Sequence, residues 1–239
     1  MADLYVGLVH YPIYNKRMNV IAGAVTNFDI HDISRTCRTY NVQGYYIIHP
    51  LEVQKQIIDK ILSYWQEGYG KVYNPDRADA LSRVLWQPDI ASAVQTIVER
   101  TGKQPYVVTT DARIYPNTVS YSFMRKQLQE GDRPVLLLFG TGFGIEAETM
   151  AKFDYILEPV YGPCDYNHLC VRSAAAIILD RLAGEAWWEK KLKKNARNYT
   201  LFSCINCLSM IQFKLCNTDG PLWSSHMNVY DLGGNYEHY

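Results

Sequence analysis

The chain has 239 residues, and its 24 basic and 24 acidic side chains leave a net charge of zero at pH 7. That balance excludes a protein that binds polyanions through bulk charge, so any such surface is expected as a local patch. The length allows one large domain or two small ones, with a core of useful size either way.

No apolar run approaches the roughly 18 residues of a spanning helix, and MADLYVGLVHYP lacks a basic segment followed by a long apolar stretch. A soluble cytoplasmic protein without membrane contact is therefore expected. Cysteines 37, 164, 170, 204, 207 and 216 form no framework of short loops, which points to reduced thiols.

From residue 4 to about 183, strand-like and helix-like stretches alternate. LYVGLVHYP (4–12) reads as a buried strand closed by Pro12, and NVIAGAVTN (19–27) is a second apolar run ended by Asn27. HDISRTCRTYN (31–41) carries Ile33 and Cys37 at helical spacing, with Asp29 or His31 as its cap. GYYIIHP (44–50) is a strand, and the amphipathic stretch 51–68 gathers Ile57, Ile58, Ile61, Leu62 and Trp65 on one side of a helix. SRVLWQ (82–87) is a strand, and the helix over 89–102 is capped by Asp89 and stopped by Gly102. PYVVTTD, SYSFMRKQLQEG, PVLLLFG, IEAETMAKF and YILEPV continue as strand, helix, strand, helix, strand, before a last helix over about 167–182. This order predicts an α/β fold with a mostly parallel sheet and helices on both faces.

Two stretches concentrate loop chemistry. VLLLFGTGFGIEAE (135–148) is an apolar strand that ends at Gly140, followed by Gly142 and Gly144 before a helix. Glycine lets a backbone approach a ligand closely, and ligands of open α/β sheets lie beyond the carboxyl ends of strands. The spacing is G-x-G-x-G rather than G-x-G-x-x-G and lies late in the chain, and a dinucleotide fingerprint near the N-terminus with an acidic residue about 20 positions later is absent. Next, EPVYGPCDYNHLC (158–170) packs Pro159, Gly162, Pro163, Asp165 and Asn167 against an apolar helix that opens with alanines. Asn167 is placed to cap that helix. A capped helix laying its alanine face on a neighbour is one reading; a shared pocket between two adjacent strand-end loops, with VVTTDAR (107–113) as a third, is the other.

The motif order resembles that of the SPOUT methyltransferases: TNFDIHDISRTCRTYNVQGYYIIHP (26–50), then LLLFGTGFGIEAE (136–148), then ILEPVYGPCDYNHLCVRSAAAIILDRL (156–182). More narrowly it resembles a bacterial family of SAM-dependent RNA methyltransferases related to tRNA guanine-N1 methyltransferase, over roughly residues 3–183. The resemblance implies a class IV fold with a C-terminal trefoil knot, S-adenosylmethionine (SAM) as cofactor, tRNA or rRNA rather than DNA as substrate, and a homodimer paired across the last helix.

Carried onto this sequence, the resemblance puts Thr109 and Thr110 in a first cofactor loop. It puts Gly140, Thr141, Gly142 and Gly144 in a second. Ile156, Leu157, Pro159, Val160, Gly162 and Leu169 fall in a third. Arg35 occupies the motif-one arginine position, near phosphate or acceptor, and Asp165 is the candidate base or base-orienter. His168 is expected to steady the helix start, and Arg172 and Arg38 to hold phosphates or a partner subunit.

No separate RNA-binding domain is recognisable, so the segment 51–102 or a second subunit is expected to substitute. A tail over 185–239 departs from the family pattern. Its CINC, with Cys216 and His226, has no second close pair at zinc-ligand spacing, and no metal is expected. The alternative to an enzyme is a non-catalytic knotted protein that binds RNA or assists assembly.

Overall fold

The computed structural model describes residues 2–185. The expected tail lies, from residue 186 onward, outside the described residues, and so does the Cys204, Cys207, Cys216 and His226 set.

In chain order the elements are β1 (Leu4–Val9), β2 (Ile13–Tyr14), β3 (Val20–Ile21), α1 (Asn27–Thr39), β4 (Gly44–Ile48) and α2 (Glu52–Gln66). Then come α3 (Tyr69–Tyr73), α4 (Pro75–Leu81), β5 (Val84–Gln87), α5 (Ile90–Thr101), β6 (Tyr106–Thr110) and β7 (Thr118–Val119). The series closes with α6 (Tyr121–Glu130), β8 (Val135–Gly140), α7 (Ala147–Met150), β9 (Tyr155–Leu157) and α8 (Val171–Ala183).

Seven strands form one parallel sheet in the order β5-β4-β1-β8-β6-β9-β7. The alternation along β1 divides the core, because successive strand side chains point to opposite faces. Leu4, Val6 and Leu8 join Ile30 and Ile33 of α1, Met124 and Leu128 of α6, and Ala175, Ile178 and Leu179 of α8. Tyr5 and Val9 join Ala93 and Ile97 of α5 and Met150 of α7 on the other face. The expected α/β layering is what the chain adopts.

The order turns around at the β1–β8 pair. From β1 the chain works outward through β4 to β5, and β8 has β6 and β9 on its other side. Val9 lies opposite Gly140, so both strands end together. In an open α/β sheet such a switch point leaves a crevice beyond the carboxyl ends, because the loops depart in opposite directions.

Several local expectations shift. The apolar run 19–27 contributes only Val20 and Ile21, which pair antiparallel with Ile13 and Tyr14 in a small separate ribbon. Helix α1 starts at Asn27 rather than near 31, and its cap is Thr26. The Thr26 hydroxyl accepts from the Asp29 amide (3.2 Å) and donates to the Asp29 carboxylate (2.6 Å). Helix α5 follows expectation: Asp89 accepts from the Ser92 amide at 2.7 Å, and Gly102 ends it with φ of 70°. Helix α8 begins at Val171 with Cys170 as N-cap, and that cap makes no side-chain bond.

Candidate functional site

A cavity of about 870 Å³ opens at the switch point. Its floor and walls come from the segments that follow four neighbouring strands: His10 after β1, Asp111 to Arg113 after β6, Thr141 to Gly144 after β8, and Glu158 and Val160 after β9. The approach to α8 closes one side with Asn167, His168, Leu169 and Cys170, and α8 adds Val171, Ala174 and Ile178. Met18, Ala24, Thr26 and Asp29 complete the lining.

Of the twelve residues the resemblance assigns to cofactor, Thr110, Gly140, Thr141, Gly142, Gly144, Val160 and Leu169 line this cavity. Thr109 is buried beneath it, its hydroxyl donating to the Leu138 carbonyl at 3.3 Å. Ile156 and Leu157 are buried strand residues, Pro159 is buried, and Gly162 is exposed; none of the four reaches the cavity surface. Arg35 and Asp165 are not brought together. Asp165 stands exposed in the 161–170 loop, and Arg35 lines a different depression.

The glycine loop owes much of its composition to the protein's own backbone. The β2–β3 ribbon docks on it: the Tyr14 amide donates to Gly144 O (2.9 Å) and the Phe143 amide to Tyr14 O (3.0 Å). A Cβ on Gly142, whose φ is 60°, would lie 2.9 Å from Tyr14 O. One on Gly140 would lie 2.9 Å from Ile145 Cγ1. Only Gly144 has room, its added carbon facing the ends of Arg113 and Asp111 at 3.7 Å. Its φ of 101° still excludes an unstrained side chain.

Asn167 does not cap α8. Its amide donates to the carbonyl of Ala112 at 2.8 Å and ties the loop after β9 to the loop after β6. His168 lines the cavity and meets Tyr166 edge-on. Arg172 is paired with Asp32 (3.0 Å) and Asp29 (3.6 Å), and Arg38 with Asp79 (2.6 Å), so both spend their charge within the chain.

Three carboxylates, Asp29, Asp111 and Glu158, line the cavity against one guanidinium, Arg113. Asp111 is bound to Arg113 through a bidentate pair of 3.0 and 3.1 Å, and Glu158 accepts from the Tyr121 amide at 2.8 Å. Asp29 is paired with Arg172 and Asp111 with Arg113, so Glu158 is the one of the three without an ion pair among the described residues.

The second depression, of about 490 Å³, lies across α1. Arg35, Lys60 and Arg77 line it together with Phe28, Tyr64 and Trp65. Phe28 and Tyr64 are 66% and 49% exposed, and Arg77 stacks on the Trp65 ring at 4.9 Å. Arg35, Lys60 and Arg77 make no ion pair among the described residues. Cation and aromatic faces side by side suit an unstacked base and its phosphate. The two depressions meet at the first turn of α1, where Thr26 and Asp29 face one, and Asn27, Phe28 and Asp32 the other.

Sequence reasoning reached Asp111 and Arg113 only as members of the 107–113 loop and did not single out His10. One signal was available: each directly follows a strand that ends at the switch point.

The family profile described as SAM-dependent RNA methyltransferase matches residues 3–184. The chain belongs to that family. This methyltransferase is also 43% identical over 180 residues to an uncharacterized protein of Aquifex aeolicus, covering 75% of this chain and 88% of that one. It is 46% identical over 185 residues to the tRNA (guanine-N(1)-)-methyltransferase of Nitratidesulfovibrio vulgaris, covering 77% of this chain. The match spans 43% of that relative, so the methyltransferase corresponds to less than half of it. Among solved structures, a methylase-family protein of Neisseria gonorrhoeae superposes with a TM-score of 0.50 at 12% identity, over 77% of this chain and 83% of that one. That likeness is one of fold alone. SAM is the methyl donor of the family and RNA the acceptor, and no helix among the described residues is long and apolar enough to cross a membrane.

Proposed function

We propose that the switch-point cavity binds SAM and that the cleft of Arg35, Lys60 and Arg77 receives the RNA, a tRNA or rRNA, in the cytoplasm. The observation that carries this reading is the shared wall. One turn of α1 separates a glycine-lined cavity from a basic, aromatic cleft, so a base lifted from the cleft is already beside the cavity.

The residues fit the cofactor. Gly144 presents no side chain to the cavity, Val160, Leu169, Ala174 and Ile178 supply apolar walls for an adenine, and the Glu158 carboxylate suits a sulfonium. When bound, SAM supplies an electrophilic methyl group. The carbon–sulfur bond breaks with its electron pair left on sulfur, giving S-adenosylhomocysteine (SAH), and the acceptor atom gains the methyl. An acceptor that bears a proton must release it, and Asp165 is the group we assign to that step. Arg35 orients the acceptor's phosphate.

Asp165 and Arg35 stand on different surfaces of one chain, which supports an active site assembled between two copies. The alanine-rich α8 is the pairing helix of that homodimer, since small residues allow close approach and closed two-fold pairs are the commonest oligomer. The knotted threading expected at 156–170 belongs to the same reading. A monomer by light scattering at micromolar concentration would remove the shared site.

The deciding experiment is mass spectrometry of modified nucleosides in RNA from a strain lacking the gene. One methylated nucleoside should vanish and return with the wild-type gene. An unchanged nucleoside profile would favour a non-catalytic RNA-binding role.

A further inference from the structure

His10 follows β1 directly and is 1% exposed, yet neither of its ring nitrogens has a partner. Its neighbour His49, with ring centroids 5.9 Å apart, cannot help. The His49 Nδ1 accepts from the Leu51 amide at 3.0 Å, and its Nε2 lies 2.9 Å from the Gly23 carbonyl. Those two bonds define a neutral tautomer protonated on Nε2, with no donor or acceptor to spare.

Burial, reinforced by His49, pushes His10 down to about 4. At neutral pH the ring is therefore uncharged, with one donor and one acceptor. Buried polar atoms are almost always satisfied, so an orphaned ring that lines a cavity implies a guest that completes it.

His10 stands where the cofactor loops meet the segment that leads to α1. A Cβ on Gly23 would lie 3.5 Å from Thr141 Oγ1 and 3.7 Å from His10 Nδ1, and the Gly23 amide donates to the His10 carbonyl at 2.8 Å. From Gly23 the chain runs through Ala24 and Thr26, which line the cavity, to the turn of α1 that separates cavity from cleft. We propose that His10 hydrogen-bonds the edge of the acceptor nucleobase and so helps to select which base is methylated. The inference rests on the cofactor reading above.

The chemistry favours a base over a phosphate. A neutral imidazole has no charge to hold an anion, but it offers the donor and acceptor that a heterocycle edge presents in return. Met18 and Ala24 give apolar surface for the ring of the base. His10 is thus a specificity contact and not a proton acceptor, since so weak a base has little pull on a ring N–H.

The test follows the His10 ring nitrogens by NMR in the full-length wild-type protein. SAH is added first, then total tRNA from a strain lacking the gene. SAH alone should leave both nitrogens where they are, and tRNA in the presence of SAH should shift them.

A parallel measurement uses His10→Leu and His10→Gln. The leucine variant should keep calorimetric SAH affinity within about twofold while single-turnover methyl transfer falls by about 10- to 100-fold, the worth of one or two hydrogen bonds. Glutamine, which retains a donor and an acceptor, should recover part of that loss. A shift caused by SAH alone would assign the ring to the cofactor. Neither nitrogen moving, or wild-type transfer by His10→Leu, would equally overturn the proposal. Absence of SAH binding to the wild-type protein shows in calorimetry before any RNA is added, and would instead fell the cofactor reading beneath it.

Discussion

The side-chain amide of Asn167 donates to the main-chain carbonyl of Ala112 at 2.8 Å. This one bond spans 55 residues of sequence and joins two loops that both line the cavity. Asn167→Ala removes about 1 kcal/mol of net hydrogen bonding. If the bond holds the cavity in its binding shape, SAH affinity should fall about fivefold. Calorimetry with wild type and variant measures the ratio; equal affinities would mean that the loops hold their places without the tie.

The glycines of 140–144 should separate into two kinds. Gly142→Val drives a side chain toward Tyr14 O at a positive φ, so it should destabilise the fold by about 2–4 kcal/mol in urea. Gly144→Ala meets no close atom and should lose only the smaller strain of about 1–3 kcal/mol. Its new methyl stands on the cavity side by Asp111 and Arg113, so SAH affinity should drop while the protein remains folded. Full affinity in a folded Gly144→Ala would move the cofactor away from this loop.

Arg35→Ala and Asp165→Ala should both retain SAH affinity, because neither side chain lines the cavity. Each should lose methyl transfer by roughly 10²–10⁴-fold, as for a positioned catalytic group. The Arg35 defect should shrink as salt rises, because phosphate contacts are salt-sensitive. The Asp165 defect should shrink at high pH, where the acceptor deprotonates unaided. Single-turnover transfer of labelled methyl to RNA across salt and pH reads both, and wild-type rates would clear the two residues.

His10 should also mark the acid side of the stability curve. Its folded value of about 4 lies below the 6.5 of the free side chain. The unfolded chain therefore binds the proton first, and the folded state's advantage, complete above pH 6.5, is lost as pH falls toward 4. The gap corresponds to about 3 kcal/mol. His31 and His49 are shifted down by burial too and add to the slope with the same sign. Urea unfolding at pH 7 and pH 4 should show wild type losing about 3 kcal/mol more than His10→Gln. Parallel losses would show that the ring is hydrated in the folded protein.

What the sequence by itself determined was set by near neighbours. Asp89 caps α5 and Gly102 ends it within single turns, and the apolar run 135–139 becomes the buried strand β8 because every residue in it needs cover. The strand–helix alternation was enough to specify the parallel sheet, and three motifs together carried the family.

Tertiary structure decided the rest, through contacts that local preference does not register. Asn167 has the chemistry of a helix cap, but the Ala112 carbonyl, brought near by the sheet, claims its amide. Gly142 looked like a place for a ligand, and its missing side chain makes room for Tyr14, a residue of a ribbon more than a hundred positions earlier. His10 reads in sequence as one residue of a buried strand's end. Its two ring nitrogens find no partner among the described residues, and its neighbour His49 is taken up by the Gly23 carbonyl and the Leu51 amide. Hydrogen-bond partners are allotted by distance in the folded chain, and separation in sequence carries almost none of that information.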